Sequence, residues 1–224
     1  MSKQLSEKDL ETLAATTLFC GLGAEHLEKL VEFAPVRRYK ARTVVIEKGD
    51  AANALYVILD GRVRIFAQGD EDKEITLNEL GAGEYFGELA LITDKPRCAS
   101  AMTTADSRLL AVSKTEFTEF LATTPDAAPR MINHLADKVQ ELTQDVERLA
   151  LQDVYGRLVG VLNERADLVD GCLITGPITQ QELANLVGAS REMISRIFKE
   201  LKSGGYISLE GKRIVLRRNL PARW

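Results

Sequence analysis

The sequence predicts an α+β fold in three parts: an N-terminal antiparallel β-roll, a long coiled-coil helix and a C-terminal winged helix-turn-helix. Three observations predict it. Between residues 49 and 112, strand-like apolar runs alternate with turn dipeptides. From Ile132 to Leu149, apolar residues recur at spacings of 3 and 4. Beyond residue 178, two short helical patterns flank a glycine turn, and a basic hairpin follows.

The roll begins after two amphipathic helical patterns, over residues 7–17 and 24–33. LYVIL-DG-RVRIF (55–66) reads as two strands around Asp60-Gly61, a dipeptide that suits a tight hairpin because glycine accepts positive φ. Turn signals recur at Gly49-Asp50, Gly69-Asp70 and Gly81-Ala82-Gly83, the spacing of a compact antiparallel barrel or roll. RLLAV (108–112) closes it, and Ser113 with Glu116 forms a capping box that opens a helix.

A long helix is expected from about Pro125 to Val154. In heptad terms Ile132, Val139 and Val146 occupy a positions, and Leu135, Leu142 and Leu149 occupy d positions. β-Branched residues at a with leucine at d favour a parallel two-stranded coiled coil. The e and g positions (Ala136, Thr143, Ala150; Lys138, Asp145, Gln152) carry no code for a different partner, so the expected partner is a second copy of this chain. The alternative is a helix lying on its own domain, which shows a wider stripe.

In the last third, Thr179 and Glu182 form another capping box. The helix it opens turns Leu183, Leu186 and Val187 inward, and Gly188-Ala189-Ser190 makes the turn. In the next helix Ile194, Ile197, Phe198 and Leu201 share one face, and Arg191, Glu192, Ser195, Arg196 and Lys199 share the opposite one. Gly204-Gly205 ends it, and two short strands around Glu210-Gly211 form a wing. Arginine forks pair with guanine edges in the major groove, and glutamate accepts from cytosine. A glutamate on an otherwise basic face weakens phosphate attraction, so its presence favours base reading over mere grip. The alternatives are a solvated helix face or a protein-contact surface.

Charge distribution agrees with the DNA reading. The net charge is −4, yet residues 191–224 hold nine Lys/Arg against three Glu, a balance of +6, which leaves −10 on the first 190 residues. Apolar residues at 45% and charged residues at 28% are ordinary for a globular protein. The charged start, MSKQLSEKDLE, is unlike a secretory signal, and no apolar run is long enough to span a membrane. Cys20, Cys98 and Cys172 are far apart, and His26 and His134 are the only histidines, which argues against a metal site and for a reducing, cytoplasmic setting. No Ser–His–acid pattern, metal cluster or dinucleotide fingerprint is present, so the chain reads as a non-enzyme.

GEYFGELALITDKPRCASA (83–101) places Glu88 and Arg97 in a small and apolar setting. A short helix starting near Glu88 would aim free amides at an anion. Arg97 adds a planar fork of donors, and Glu88 supplies an acceptor suited to a ribose hydroxyl. Together they would bracket a sugar phosphate. A Glu88–Arg97 salt bridge is the competing reading.

SREMISR (190–196) and the GELAL…PR segment resemble the CRP/FNR family of bacterial transcription regulators, over essentially the whole chain. The resemblance implies a cyclic-nucleotide-binding-like sensor domain (1–124), a dimerisation helix (125–155) and a winged helix-turn-helix DNA-binding domain (156–224). It implies a cyclic nucleotide effector, cAMP or cyclic di-GMP, held by Gly87, Glu88, Leu89, Ala90, Arg97, Cys98 and Thr143, with no metal or haem; some members bind no nucleotide. It implies contacts of Arg191, Glu192 and Arg196 with an inverted-repeat site in double-stranded DNA built on a TGTGA-like half-site. Ser195 is the residue of the FNR-like branch, which makes that half-site mixed. RNA polymerase is a further implied partner. Two positions depart from the cAMP-binding pattern: Cys98 replaces Ser or Thr, and Leu142-Thr143 replaces Thr-Ser.

Overall fold

A computed structural model describes residues 5–20, 27, 34–69, 74–169 and 171–221. The helical pattern over 24–33, apart from Leu27, lies outside them, as do His26 and Asp70. The chain forms two compact units, residues 1–67 with 77–139, and 68–76 with 140–224.

The first unit starts with α1 (Glu7–Ala15). Ser6 Oγ accepts from the Asp9 amide at 3.3 Å, and the Asp9 carboxylate accepts from the Ser6 amide at 3.0 Å, a reciprocal cap. The same carboxylate is 2% exposed and takes both forks of Arg108 at 2.8 Å. Burial opposes the Asp9 charge, but the Arg108 fork and the Ser6 amide hold its carboxyl below the ordinary value.

Eight strands follow: β1 (Val36–Tyr39), β2 (Val44–Ile46), β3 (Ala54–Asp60), β4 (Val63–Gln68), β5 (Glu74–Leu80), β6 (Tyr85–Phe86), β7 (Ser100–Thr103) and β8 (Ser107–Ser113). They make two antiparallel sheets, ordered β1-β8-β3-β6 and β2-β7-β4-β5. Here the hairpin expected at Asp60-Gly61 is corrected. β3 pairs with β8 and β6, while β4 pairs with β7, so the dipeptide is a corner between sheets. Gly61 is indispensable there. Its φ is +98°, and a Cβ would lie 2.2 Å from Ser107 Oγ, which sits under the corner.

β3 explains the unbroken apolar run Leu55–Leu59, all of it buried. Alternate residues serve two cores. Leu55, Val57 and Leu59 join a helix-side cluster with Leu13, Phe117, Phe120 and Met131. Tyr56 and Ile58 join the roll interior with Ile46, Phe86 and Leu109. The first sheet is thus covered on both faces.

Between β6 and β7 lies α2 (Glu88–Thr93). α3 (Lys114–Thr123) opens with the expected capping box, Ser113 N–H to Glu116 at 2.7 Å and Glu116 N–H to Ser113 Oγ at 3.3 Å.

The long helix, α4, spans Ala127–Leu151 and not 125–154. Asp153 ends the run: its side chain accepts the Gly156 amide at 2.7 Å and caps a new helix, α5 (Val154–Glu164), while Arg157 takes the Gln152 carbonyl at 2.6 Å. Ile132, Val139, Leu142, Val146 and Leu149 are 43–65% exposed, an apolar stripe along one side of α4. Leu135 departs from it and is half-buried against the helix-side cluster.

The second unit contains α5, β9 (Ala166–Val169), β10 (Cys172–Thr175), α6 (Gln180–Val187), α7 (Arg191–Ser203), β11 (Ile207–Glu210) and β12 (Arg213–Leu216). Its sheet is ordered β11-β12-β10-β9. The wing is confirmed, with Glu210 opposite Arg213. Neither α5 nor the β9–β10 pair was expected. Tyr155, Leu158 and Leu162 of α5 close the core beneath Leu183, Ile194, Phe198 and Leu201.

Arg108→Met leaves the buried Asp9 charge without its cation, with only the Ser6 cap to compensate it. It should cost roughly 2–4 kcal/mol at neutral pH, below the range for a fully buried pair because Arg108 is partly exposed. A depressed carboxyl contributes stability above its unfolded value and loses it as pH falls through the folded one. Urea unfolding should therefore show the gap between wild type and variant narrowing in acid.

Candidate functional site

The expected cassette forms a tight cluster. Gly87 caps α2 in the left-handed region, φ +87°, and no side chain caps the helix start. Only glycine fits: a Cβ would lie 2.7 Å from Arg97 Nη1 and 3.2 Å from Ile46 Cδ1. Glu88 is the first helical residue and is half-buried. Ala90 is buried, and Leu89 and Cys98 are exposed.

Arg97 is 6% exposed. Its Nη1 donates to the Gly87 carbonyl at 2.7 Å, and its Nη2 to the Ala54 carbonyl at 2.6 Å. The backbone holds it from the other side, with Arg97 N–H to Asp50 O and Gly49 N–H to Arg97 O both at 2.9 Å. The Glu88–Arg97 salt bridge weighed from the sequence is not formed among the described residues. The geometric reason is that the guanidinium is turned to two carbonyls instead. Each charge still feels the other. Burial pulls the Arg97 pKa down, while Tyr56, Glu88 and Asp50 push it up. Burial pushes the Glu88 carboxyl above its ordinary value, against the pull of its own amide, Arg97 and Lys138.

The anchoring carbonyl of Ala54 was not foreseen. A backbone acceptor carries no residue-type signal, and only the register of β3 places it.

α7 carries the second set. Ser190 Oγ accepts from the Met193 amide at 3.2 Å, which starts the helix one residue before Arg191. Arg191, Glu192, Ser195, Arg196 and Lys199 are all exposed. Ile194, Ile197, Phe198 and Leu201 are buried, as the two-face pattern requires. Arg196 Nη2 rests on Met193 Sδ at 2.8 Å, one turn earlier, an i, i+3 pairing the sequence already held. Thr143 is exposed on α4, in the part of the helix that belongs to the second unit. No three His, Cys, Asp or Glu side chains among the described residues are grouped so as to hold a metal ion, and no helix among them is long and apolar enough to cross a membrane.

Two family models match the chain: the cyclic nucleotide-binding domain over residues 36–124 and the Crp-like helix-turn-helix domain over residues 156–220. A roll with this cassette joined to such a reading helix defines the class of cyclic nucleotide-binding transcription regulators. The chain is 33% identical over 218 residues to the CRP-like protein Clp of Xanthomonas euvesicatoria, covering 92% of this chain and 94% of that one. It is 30% identical over 202 residues to the cAMP-activated global transcriptional regulator Vfr of Pseudomonas aeruginosa, covering 86% and 94%. Its fold matches the c-di-GMP responsive global regulator CLP of Xanthomonas campestris with a TM-score of 0.76 and 31% identity, over 87% of this chain and 99% of that one. The chain belongs to the CRP/FNR family of transcription regulators.

Glu88 is held at a stability penalty. Its folded carboxyl keeps a proton above the ordinary value of 4.5, so the folded state binds more protons and stability falls as pH rises through that window. Glu88→Gln should raise the thermal midpoint at pH 7, with the advantage disappearing near pH 4. A midpoint lower than wild type at pH 7 would contradict the assignment. Gly87→Ala should cost about 1–3 kcal/mol, from left-handed strain and the Arg97 approach.

Proposed function

We propose that the chain is a homodimeric, sequence-specific DNA-binding regulator whose DNA affinity is set by a cyclic nucleotide, a cAMP-like mononucleotide, in the first unit. The observation that carries this reading is the Arg97 guanidinium. It is buried, oriented by two backbone carbonyls, and among the described residues meets no carboxylate, which suits a cation held ready for a phosphate. The start of α2, which no side chain of the N-cap residue closes, lies beside it, and Glu88 supplies the acceptor for a ribose hydroxyl. Gly87 allows the backbone to approach, and Leu89, Ala90 and Cys98 complete the wall.

Division of labour follows the order of the chain. Residues 1–124 sense, 125–155 pair two copies, and 156–224 read DNA. The exposed stripe of Ile132, Val139, Leu142, Val146 and Leu149 supports pairing, because five apolar side chains left in water along one helix face are costly. Leu135 divides its surface between the seam and its own core. Thr143, beside that seam, is the α4 contact for the nucleotide. Arg191, Glu192 and Arg196 read base edges, and Ser195 and Lys199 flank them. Two such helices on one dimer require an inverted repeat with half-sites one helical turn apart. The setting is cytoplasmic, and RNA polymerase is the expected downstream partner.

Cyclic di-GMP is the second reading. It is favoured by the similarity to Clp and CLP, and by Leu142 and Cys98 where a cAMP site would offer hydroxyls. Either effector would act by a differential affinity for two dimer conformations, typically about 1–3 kcal/mol of coupling.

The deciding experiment is calorimetric titration with cAMP, cGMP and cyclic di-GMP, with and without an operator selected from random duplexes. One nucleotide should bind, and Arg97→Lys, which keeps the charge but loses the fork, should weaken it by at least about tenfold. Unchanged binding in that variant would remove Arg97 from the site. On the selected operator, Arg196→Ala should cost roughly 1–3 kcal/mol, with little loss on random DNA. Equal losses on both would make Arg196 a phosphate contact.

A further inference from the structure

Tyr85 and Phe86 are the whole of β6 and stand directly before Gly87 and Glu88. Being consecutive in a strand, they point to opposite faces of the sheet. Phe86 belongs to the roll interior, its ring stacked on Tyr56 with centroids 5.4 Å apart. Tyr85 belongs to the helix-side cluster, and its ring lies 4.9 Å from the His134 ring on α4. Any displacement of the cassette start is therefore felt in both clusters at once.

Tyr85 is also incompletely satisfied. It is 5% exposed, and among the described residues its hydroxyl has no hydrogen-bond partner. Native structures rarely leave a buried hydroxyl in that state, and doing so destabilises the arrangement concerned. A ring held only by packing, with a donor that another position could satisfy, is suited to an element with two positions.

We propose that the Tyr85–His134 ring contact is the link by which nucleotide occupancy of the cassette acts on α4. The inference rests on the nucleotide reading above. A ribose hydroxyl and phosphate drawn onto Glu88 and Arg97 move the Gly87–Glu88 backbone. Tyr85, three residues before Glu88, then shifts across His134. Charge acts in the same place: Lys138, one turn beyond His134, attracts the Glu88 carboxylate. Burial and the Glu88 charge push the Tyr85 phenol upward, so it remains a protonated donor.

The test compares wild type, His134→Ala and His134→Phe as full-length dimers. Two quantities are read: the nucleotide dissociation constant without DNA, by calorimetry, and the ratio of operator affinities with and without nucleotide. The wild-type ratio should lie between about 5- and 150-fold. In His134→Ala it should fall to within about twofold of unity, with nucleotide binding changed less than about threefold, because the energy linking the sites is lost and the site is not. His134→Phe keeps a ring opposite Tyr85 and should retain the wild-type ratio. A wild-type ratio in His134→Ala, or its loss in His134→Phe, overturns the link while leaving the nucleotide site standing. A wild-type protein that binds no cyclic nucleotide overturns the site itself, and the link with it.

Discussion

One buried guanidinium organises the first unit. Arg97 sits almost entirely out of water, where an unpaired cation is expensive. The carbonyls of Gly87 and Ala54 compensate it, and neither is a charge. The cation is therefore oriented but not neutralised by contact. Its position dictates its neighbours. Residue 87 must be glycine, because the guanidinium occupies the space a side chain would fill. The 47–50 loop is pinned by the Arg97 backbone, and Glu88 stays near enough to be felt without making a pair. Placing two opposite charges close together and out of contact works against stability, the kind of local conflict expected where a fold serves something besides itself.

The reading unit is organised differently. Nothing in α7 is strained, and its two faces are complete before any partner arrives. Ile194, Ile197, Phe198 and Leu201 seat the helix on α6 and on the unforeseen α5, so the polar face projects as one rigid surface. Met193, at the border between faces, supports the Arg196 fork from one turn away. Orientation is thus supplied by the core, and the exposed residues are left to supply chemistry.

Much of this was legible in the residues. The capping boxes at Ser113 and Thr179, the α7 faces and the wing all declared themselves, because each depends on partners within a few residues. The less legible parts depend on distant partners. α5 contains two glycines, Gly156 and Gly160, which dilute its helical signal, although Tyr155, Leu158 and Leu162 keep the spacing. The Ala54 carbonyl has no sequence signature. The end of α4 at Leu151 was set by Asp153 and Arg157, polar side chains whose backbone contacts outcompete another helical turn.

The pairs of strands show where local information stops. Asp-Gly occurs at 60–61 and again at 170–171, both times between strand-like runs. The strands beside the second site pair with each other, Val169 opposite Cys172. Those beside the first separate into different sheets, and Gly61 serves a corner packed on Ser107. At 60–61 the sequence by itself determined that the chain turns, since glycine tolerates positive φ and strand-like runs lie on either side, whereas the pair around 171 emerged only in the structure. Which strand lies next to which was decided by tertiary structure. In the roll, β3 buries both faces and needs β8 and β6 beside it, and no four-residue signal reports a partner fifty residues away.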